Sequence, residues 1–560
     1  MNKFLRIIST LFILCLTAAL SLQASTGTTD RVNRLFSPWD KPDSPGCALA
    51  VVREGKIIYE RGYGMANLEH HVPITPESVF YVGSVSKQFV AMCIALLVQK
   101  GKLSLQDDIR LYLPELPAYK NPILIKHLIY HTSGLRDYLE LESLIGMPFG
   151  FYHEDDVLEL ISRQKELNFS PGEKFLYSNT GYFLLALIVK RVSGKSLNEF
   201  AQKNIFKPLG MKKSCFHDDY RMLIPGRASG YFPAGKNKFF NFISAFDCVG
   251  SGGLYTTVRD LYLWDQNFYH KKVGGKEVLD MMHTRGKLKS GKEIDYAFAL
   301  SLGQYKGLKT VSHSGALGGY RSALIRFPEE RFSVICLSNL SSFTPARLCY
   351  QVADIYLASR LREEKKEKIE INFLDISREK LRARTGTFYS VENKIVYRIF
   401  MRRKHLCLET NGKSYRLGAL SENEFLVINF PYSLKLTFTR HREGKPWVLE
   451  VHRKGEEPII LKKGDFKPLS PDELEEYTGD FYSQELGIKY SITLKDENLW
   501  FVHKNAPKNP FLPLFKDMFK VRNLTLSFTR DKEGRISGFS LDTARVKNLK
   551  FIKIHSPGHP

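Results

Sequence analysis

One string in this chain is written twice. "TGTFYS" begins at residue 385 and returns as "TGDFYS" at residue 478, an offset of 93. Tyr397 and Leu406 recur at the same offset as Tyr490 and Leu499. Further on, "FTRHREG" from residue 438 matches "FTRDKEG" from residue 528, an offset of 90, so about three residues were lost between the copies. A repeat of this period means that one supersecondary unit was built twice. Its texture is short stretches of alternating apolar and polar residues between polar turns, which reads as β-structure. We therefore expect two all-β modules, 378–467 and 471–560, each a small antiparallel barrel. A single larger sandwich is the alternative. The charged run "REEKKEKIE" (362–370) marks a linker or helix end before them.

What precedes the repeat has a different grain. The first 24 residues carry Lys3 and Arg6, a mostly apolar stretch from Ile7 to Leu20, and Ala24 at a plausible cleavage position. This is the pattern of a secretory signal peptide, with an uncleaved membrane anchor as the other reading. Export to the periplasm or the medium is the expectation. Outside this segment lie seven cysteines without C-x-x-C spacing, which encode neither a zinc site nor a redox pair. Cys93 and Cys336 stand in apolar runs, as small core hydrophobes do. The net charge of +23 is spread along the chain. It would favour an anionic envelope surface, but no nucleic-acid motif accompanies it. Oligomeric state is not encoded in any feature of this kind.

Residues 25–365 read as one α+β domain. "GCALAVVREGKIIYER" (46–61) is two strands around a Glu54–Gly55 turn. Phe89 to Val98 are all apolar and form a helix buried on every side, with Gly101 as its stop. A second buried helix ends at Gly194, and 310–340 reads as three strands joined by tight turns. Strands at both ends with helices between predict an antiparallel sheet whose terminal strands meet, flanked by helices.

Three short stretches carry chemistry. "SVSK" places Ser84 and Lys87 three apart at the head of the first buried helix, on one face. A serine hydroxyl is a poor nucleophile until a neighbour takes its proton, and a lysine of lowered pKa can do so. "YSN" places Tyr177 and Asn179 two apart just before the second buried helix, both able to face one cleft. "HSG" puts His313 and Gly315 at a strand end, where backbone N–H groups can meet an oxyanion. Each alone also fits a capped helix, a packed turn or a strand-end histidine.

In this order the three stretches resemble the motif set of the serine penicillin-recognising enzymes, nearest to the branch of class C β-lactamases, D,D-peptidases and D-aminopeptidases. "LIYHTSGLRDY", "SPGEKFLYSNTGY", "GSGGLYTTVRDLYLW" and "SHSGALGGYRS" extend the likeness over about residues 30 to 360. The modules resemble the lipocalin-like barrels that follow this domain in D-aminopeptidase relatives. The resemblance implies that Ser84 is acylated and that Lys87 and Tyr177 share the acid–base work. Asn179, His313 and Gly315 would bind substrate, and the N–H groups of Ser84 and Ala316 would form the oxyanion hole. It implies no cofactor and no metal. The substrate would be a small peptide, amide, ester or β-lactam.

The β-lactamases carry lysine where this chain has His313. A largely neutral imidazole suits a peptidase, an aminopeptidase, a D,D-carboxypeptidase or an esterase better than an efficient β-lactamase. It could instead donate to a neutral carbonyl or hydroxyl, and would gain charge only as pH falls. A penicillin-binding sensor, acylated without turnover, is the reading from another class.

Overall fold

The computed structural model describes residues 27–146, 152–243, 245–362, 373–410, 413–430, 433–440, 446–453, 457–464, 469–502 and 509–554. The signal segment and nearly all of the 362–370 run lie outside these. By contact density the chain forms two units, Met1–Ser143 with Met147–Glu363, and Glu364–Pro560 with Leu144–Gly146.

The first unit is built on a six-stranded antiparallel sheet. Its strands are β1 (Cys47–Arg53), β2 (Lys56–Tyr63), β3 (Ser301–Tyr305), β4 (Leu308–Leu317), β5 (Tyr320–Phe327) and β6 (Phe332–Ser338), in the spatial order β3-β4-β5-β6-β1-β2. The terminal strands meet as expected: β1 runs antiparallel to β6, with Cys47 opposite Ser338 and Arg53 opposite Phe332. Glu54 and Gly55, both at positive φ, turn β1 into β2. Alternation divides β1 between two cores. Ala48, Ala50 and Val52 pack with the helical layer, whereas Cys47, Leu49 and Val51 pack on the other face with Val352, Ala353 and Leu357.

Two buried helices lie in that helical layer. α1 (Lys87–Gln99) buries every residue from Lys87 to Leu97, which its unbroken apolar run requires. α2 (Asn179–Ser193) buries Asn179 to Val189 and stops at Gly194, whose φ of 67° is the left-handed cap. One local detail differs from expectation. Ser84 lies in a 3-10 turn, Gly83–Ser86, that feeds α1, rather than in the first turn of the α-helix itself. The seven cysteines of the described residues are free thiols, and Cys93 and Cys336 are buried.

The second unit holds the repeat. Its first module is a closed eight-stranded barrel, from Gly386–Ser390 to Ile459–Gly464. The two copies begin in the same register: Phe388 faces Tyr397, and Phe481 faces Tyr490. The first strand of each then pairs with the last, Phe388 with Lys463 and Phe481 with Lys553. Closure separates them. The second module is an eight-stranded sheet with Asn498–Val502 at one edge and Leu512–Phe515 at the other. Among the described residues a single backbone hydrogen bond, Phe511 N to Leu499 O (2.9 Å), reaches between those edges without a ladder, so the expectation of two small barrels is met by one closed barrel and one half-barrel. The first barrel's interior is packed with apolar side chains, Phe388, Leu408, Leu436, Phe438, Leu449 and Val451 among them.

Candidate active site

The loop carrying Ser84 is pinned from three sides. Val82 N donates to Leu254 O (3.0 Å), the Ser322 hydroxyl of β5 donates to Val82 O (2.6 Å), and the Ser86 hydroxyl donates to Gly83 O (2.6 Å). Strand β4 closes on this loop where the third motif lies. A Cβ on Gly315 would stand 2.0 Å from Val82 O and 2.9 Å from Ser84 N. A Cβ on Gly83, at φ +53°, would stand 2.6 Å from Ala316 N. Only glycine at both places lets the two backbones come this close. The backbone nitrogens of Ser84 and Ala316 therefore lie along one narrow seam beside the Ser84 hydroxyl.

Lys87 is fully buried. Its Nζ donates to Ser84 Oγ (3.0 Å), Asn179 Oδ1 (2.9 Å) and the backbone carbonyl of Ser251 (2.6 Å). The α1 sequence explains the placement: Lys87 heads an apolar helix, so its ammonium can find polar partners only at the helix mouth. Ser84 itself is half-buried. Asn179 cannot be turned over. Its Nδ2 donates to Asp137 Oδ2 (3.0 Å) and its backbone N donates to the same oxygen (2.7 Å), which leaves Oδ1 for Lys87. The buried Asp137 carboxylate thus fixes the amide, and the amide helps to fix the cation.

Tyr177 precedes α2 in extended backbone. Its ring stacks on His131 (centroids 4.1 Å apart) and lies 5.0 Å from Lys87 Nζ. His131 receives a hydrogen bond at Nδ1 from Ser178 N (3.1 Å), and its Nε2 meets Tyr296 Oη (3.1 Å). The same Tyr296 Oη meets His313 Nε2 (3.2 Å), and His313 Nδ1 meets Ser314 O (2.7 Å). Burial, and after it the charge of Lys87, lower the His313 pKa to about 4. His313 is therefore neutral at neutral pH. Both of its ring nitrogens are engaged by protein atoms, which is not the substrate-facing donor that the sequence suggests.

All the residues singled out in sequence, Ser84, Lys87, Tyr177, Asn179, His313, Gly315 and Ala316, come together around this seam. Sequence reasoning gave no role to Asp137, His131, Ser251 or Tyr296. The first two stand inside "LIYHTSGLRDY" and Ser251 inside "GSGGLYTTVRDLYLW", stretches noticed only for their likeness. Tyr296 had no signal at all. Among the described residues no group of acidic, histidine and cysteine side chains is placed to hold a metal.

The arrangement offers a hydroxyl beside a buried amine, a phenol whose ring lies 5.0 Å from that amine, and two backbone N–H groups on a seam. Those are the parts of acyl transfer through a serine ester. Comparison with known proteins points the same way. The family model described as Beta-lactamase matches residues 32–356. The chain is 32% identical over 317 residues to "Penicillin-binding protein 4*" of Bacillus subtilis (strain 168), covering 54% of this chain and 69% of that protein. A D-aminopeptidase of Brucella anthropi is 24% identical over 533 residues, covering 91% of this chain and 95% of that one. The octameric penicillin-binding protein homologue from Pyrococcus abyssi shares the fold. Its TM-score is 0.53 at 23% identity, over 79% of this chain and 99% of that chain.

Proposed function

The chain belongs to the β-lactamase family and is a serine hydrolase of the amidase and peptidase kind; from that premise we propose that Ser84 is its nucleophile and that it hydrolyses amides of D-amino acids or short peptides. The observation that carries this reading is the buried Lys87 ammonium held between Ser84 Oγ and Asn179 Oδ1. In its neutral form Lys87, with Tyr177 beside it, takes the Ser84 hydroxyl proton as Oγ bonds to the substrate carbonyl carbon. The oxyanion that forms is met by the N–H groups of Ser84 and Ala316. The C–N bond then breaks, the stored proton goes to the leaving amine, and a Ser84 ester remains. Water, deprotonated by the same pair, releases the acid and restores Ser84.

The preference for amides over β-lactams follows from His313. A penicillin carries a carboxylate near its scissile bond, and a neutral imidazole supplies no fixed cation to it. β-Lactamase activity should be weak for that reason. The aminopeptidase reading is supported by the relative from Brucella anthropi, which matches this chain almost end to end. Export follows from the reading of residues 1–24, and an anionic envelope surface is the expected setting for a chain of net charge +23.

Two measurements test the proposal. Mass spectrometry after incubation with a fluorescent penicillin or a phosphonate should place the adduct on the Ser84 peptide, and none should appear in Ser84→Ala. A screen of D- and L-amino-acid amides, peptidoglycan peptides, short esters and nitrocefin should show turnover highest on D-configured amides. Labelling of another serine would overturn the assignment of the nucleophile. Stable labelling without turnover of any substrate would make the protein a sensor. A nitrocefin kcat/KM near ~10⁸ M⁻¹s⁻¹, the diffusional ceiling, would refute the role given to His313.

A further inference from the structure

Between the second and third motifs runs an unbroken polar chain: Ser178 N, His131, Tyr296 Oη, His313, Ser314 O. Its ends settle its direction. A backbone N–H can only donate, so His131 Nδ1 is an acceptor and His131 must carry its proton on Nε2. A backbone carbonyl can only accept, so His313 carries its proton on Nδ1 and presents a bare Nε2. Tyr296 then receives from His131 and donates to His313. With both imidazoles neutral, every proton in the chain has one acceptor. Protonating His313 at Nε2 would point an N–H at Tyr296 Oη and leave the buried phenol proton without its acceptor, a costly fault in a sealed site.

We propose that Tyr296 is a positioning residue for the acyl-transfer site: its hydroxyl bridges the His131 and His313 rings, whose opposite tautomers their backbone partners set, and through the His131 ring it holds Tyr177 against Lys87. The inference rests on the reading of Ser84, Lys87 and Tyr177 given above. Tyr177 is held from two directions by this device. Its ring lies on His131, and the N–H of the next residue, Ser178, is the first link of the chain. The other end reaches the backbone of Ser314, directly before Gly315 and the oxyanion seam. Tyr296 thus couples the acid–base group to the strand that would bind the oxyanion, although it touches neither substrate nor Ser84.

The surroundings agree. Tyr296 packs against the rings of His131, Phe175, Tyr177 and His313, and burial first, then the Tyr182 and Tyr177 phenols, raise its pKa. His131 packs against Phe175, Tyr177, Tyr182 and Tyr296. His313 faces Tyr177 and Tyr296, and the charge that bears on it is Lys87. The charge of Lys87 also opposes protonation of the chain at its His313 end.

The test is Tyr296→Phe, which keeps the ring and removes the hydroxyl. In the unmodified protein, 15N spectra of labelled histidine, assigned by His131 and His313 substitutions, should show one Nε2–H and one Nδ1–H tautomer. A histidine side chain in water favours Nε2–H, so a fixed Nδ1–H at His313 reports its hydrogen bond to Ser314 O. In Tyr296→Phe the backbone partners Ser178 N and Ser314 O remain, so both tautomers should persist, while the His313 pKa should rise by about one unit. With the best amide, kcat should fall about 10- to 100-fold, the scale of one lost buried hydrogen bond, while KM stays nearly constant. The kcat–pH profile should acquire a new acid limb from the freed histidine. An unchanged melting temperature would show that the loss is not unfolding. If both histidines prove to be Nε2–H in the unmodified protein, or if Tyr296→Phe leaves the His313 pKa and kcat unchanged, the positioning role is refuted. Absence of a Ser84 adduct in the unmodified protein would instead strike the catalytic reading, since the tautomer measurement needs no turnover.

Discussion

The neighbourhood of Lys87 and the interior of the first barrel are equally shut off from solvent, and they are filled differently. The barrel's core cluster is aliphatic and aromatic, and the buried Arg384 of that module lies over its Trp447 and donates to the Asn423 amide oxygen (2.6 Å) rather than to a reactive group. Around Lys87 the first unit buries an ammonium, the Asp137 carboxylate and His313 within one connected set. Burying an ion costs several kcal/mol even after relaxation, so a fold seeking only stability fills such a place as the barrel does. The first unit also shows what a structural buried charge looks like. Arg326 is paired directly with Asp265 at 2.8 Å, and Ser333 donates to the same carboxylate oxygen. Lys87 instead donates to a hydroxyl, an amide oxygen and a backbone carbonyl. Of these only the hydroxyl can itself give up a proton. Buried charge is thus no mark of chemistry by itself; buried charge beside a half-exposed hydroxyl is.

The sharpest way to break this contrast is to remove the cation. Lys87→Met should lower kcat on an amide or ester by about 10⁴- to 10⁶-fold, the range seen when one member of a serine catalytic set is lost. Retention of kcat within tenfold, with an unchanged melt, would reduce Lys87 to the status of Arg326. A core substitution probes the other side. Phe388→Ala in the barrel should cost about 3–5 kcal/mol in the urea transition of the second unit, while acylation of Ser84 at low temperature keeps its rate. The smallest effect is a pH dependence. The His313 pKa is lowered in the fold to about 4 from an unfolded value of about 6.5. Between those values the unfolded chain binds more protons, so the stabilisation is complete above about pH 6.5 and is lost as pH falls toward 4. The full effect is about 3 kcal/mol, and His127, lowered to about 4 by burial, adds to it. The melting transition of the first unit should therefore drop between pH 7 and pH 4.5, and by more than that of the barrel, whose His405 is also lowered by desolvation but lies near the surface.

What was legible in the sequence follows from distance along the chain. Ser84 and Lys87, Tyr177 and Asn179, His313 and Gly315 are local pairs whose spacing is set by one turn of helix or two residues of extended backbone. Their partners are not local. Asp137 lies 42 residues from the Asn179 it orients, and the Ser251 carbonyl 164 residues from Lys87. Tyr296 enters through the fold alone. The fold class was readable because alternation and unbroken apolar runs report burial directly, and the repeat was readable as repeated text. Closure was not. Whether an eight-stranded sheet meets itself depends on two edges finding each other, and no residue pattern within either edge announces it.

The pairing of β1 with β6 has a kinetic consequence. The Ser338 hydroxyl and the Gly46 carbonyl, 292 residues apart in sequence, share a hydrogen bond across that pair. The six-stranded sheet cannot be completed until its last strand has been synthesised, which at the usual pace of translation takes ~15–60 s after the first. During that interval β1, apolar on both faces, has lost neither of its partners to competition but has not yet gained β6. High contact order of this kind slows folding and prolongs the exposure of strand edges. The seam between Gly315 and the Ser84 loop shares that delay, because one side of it is made early and the other only with β4.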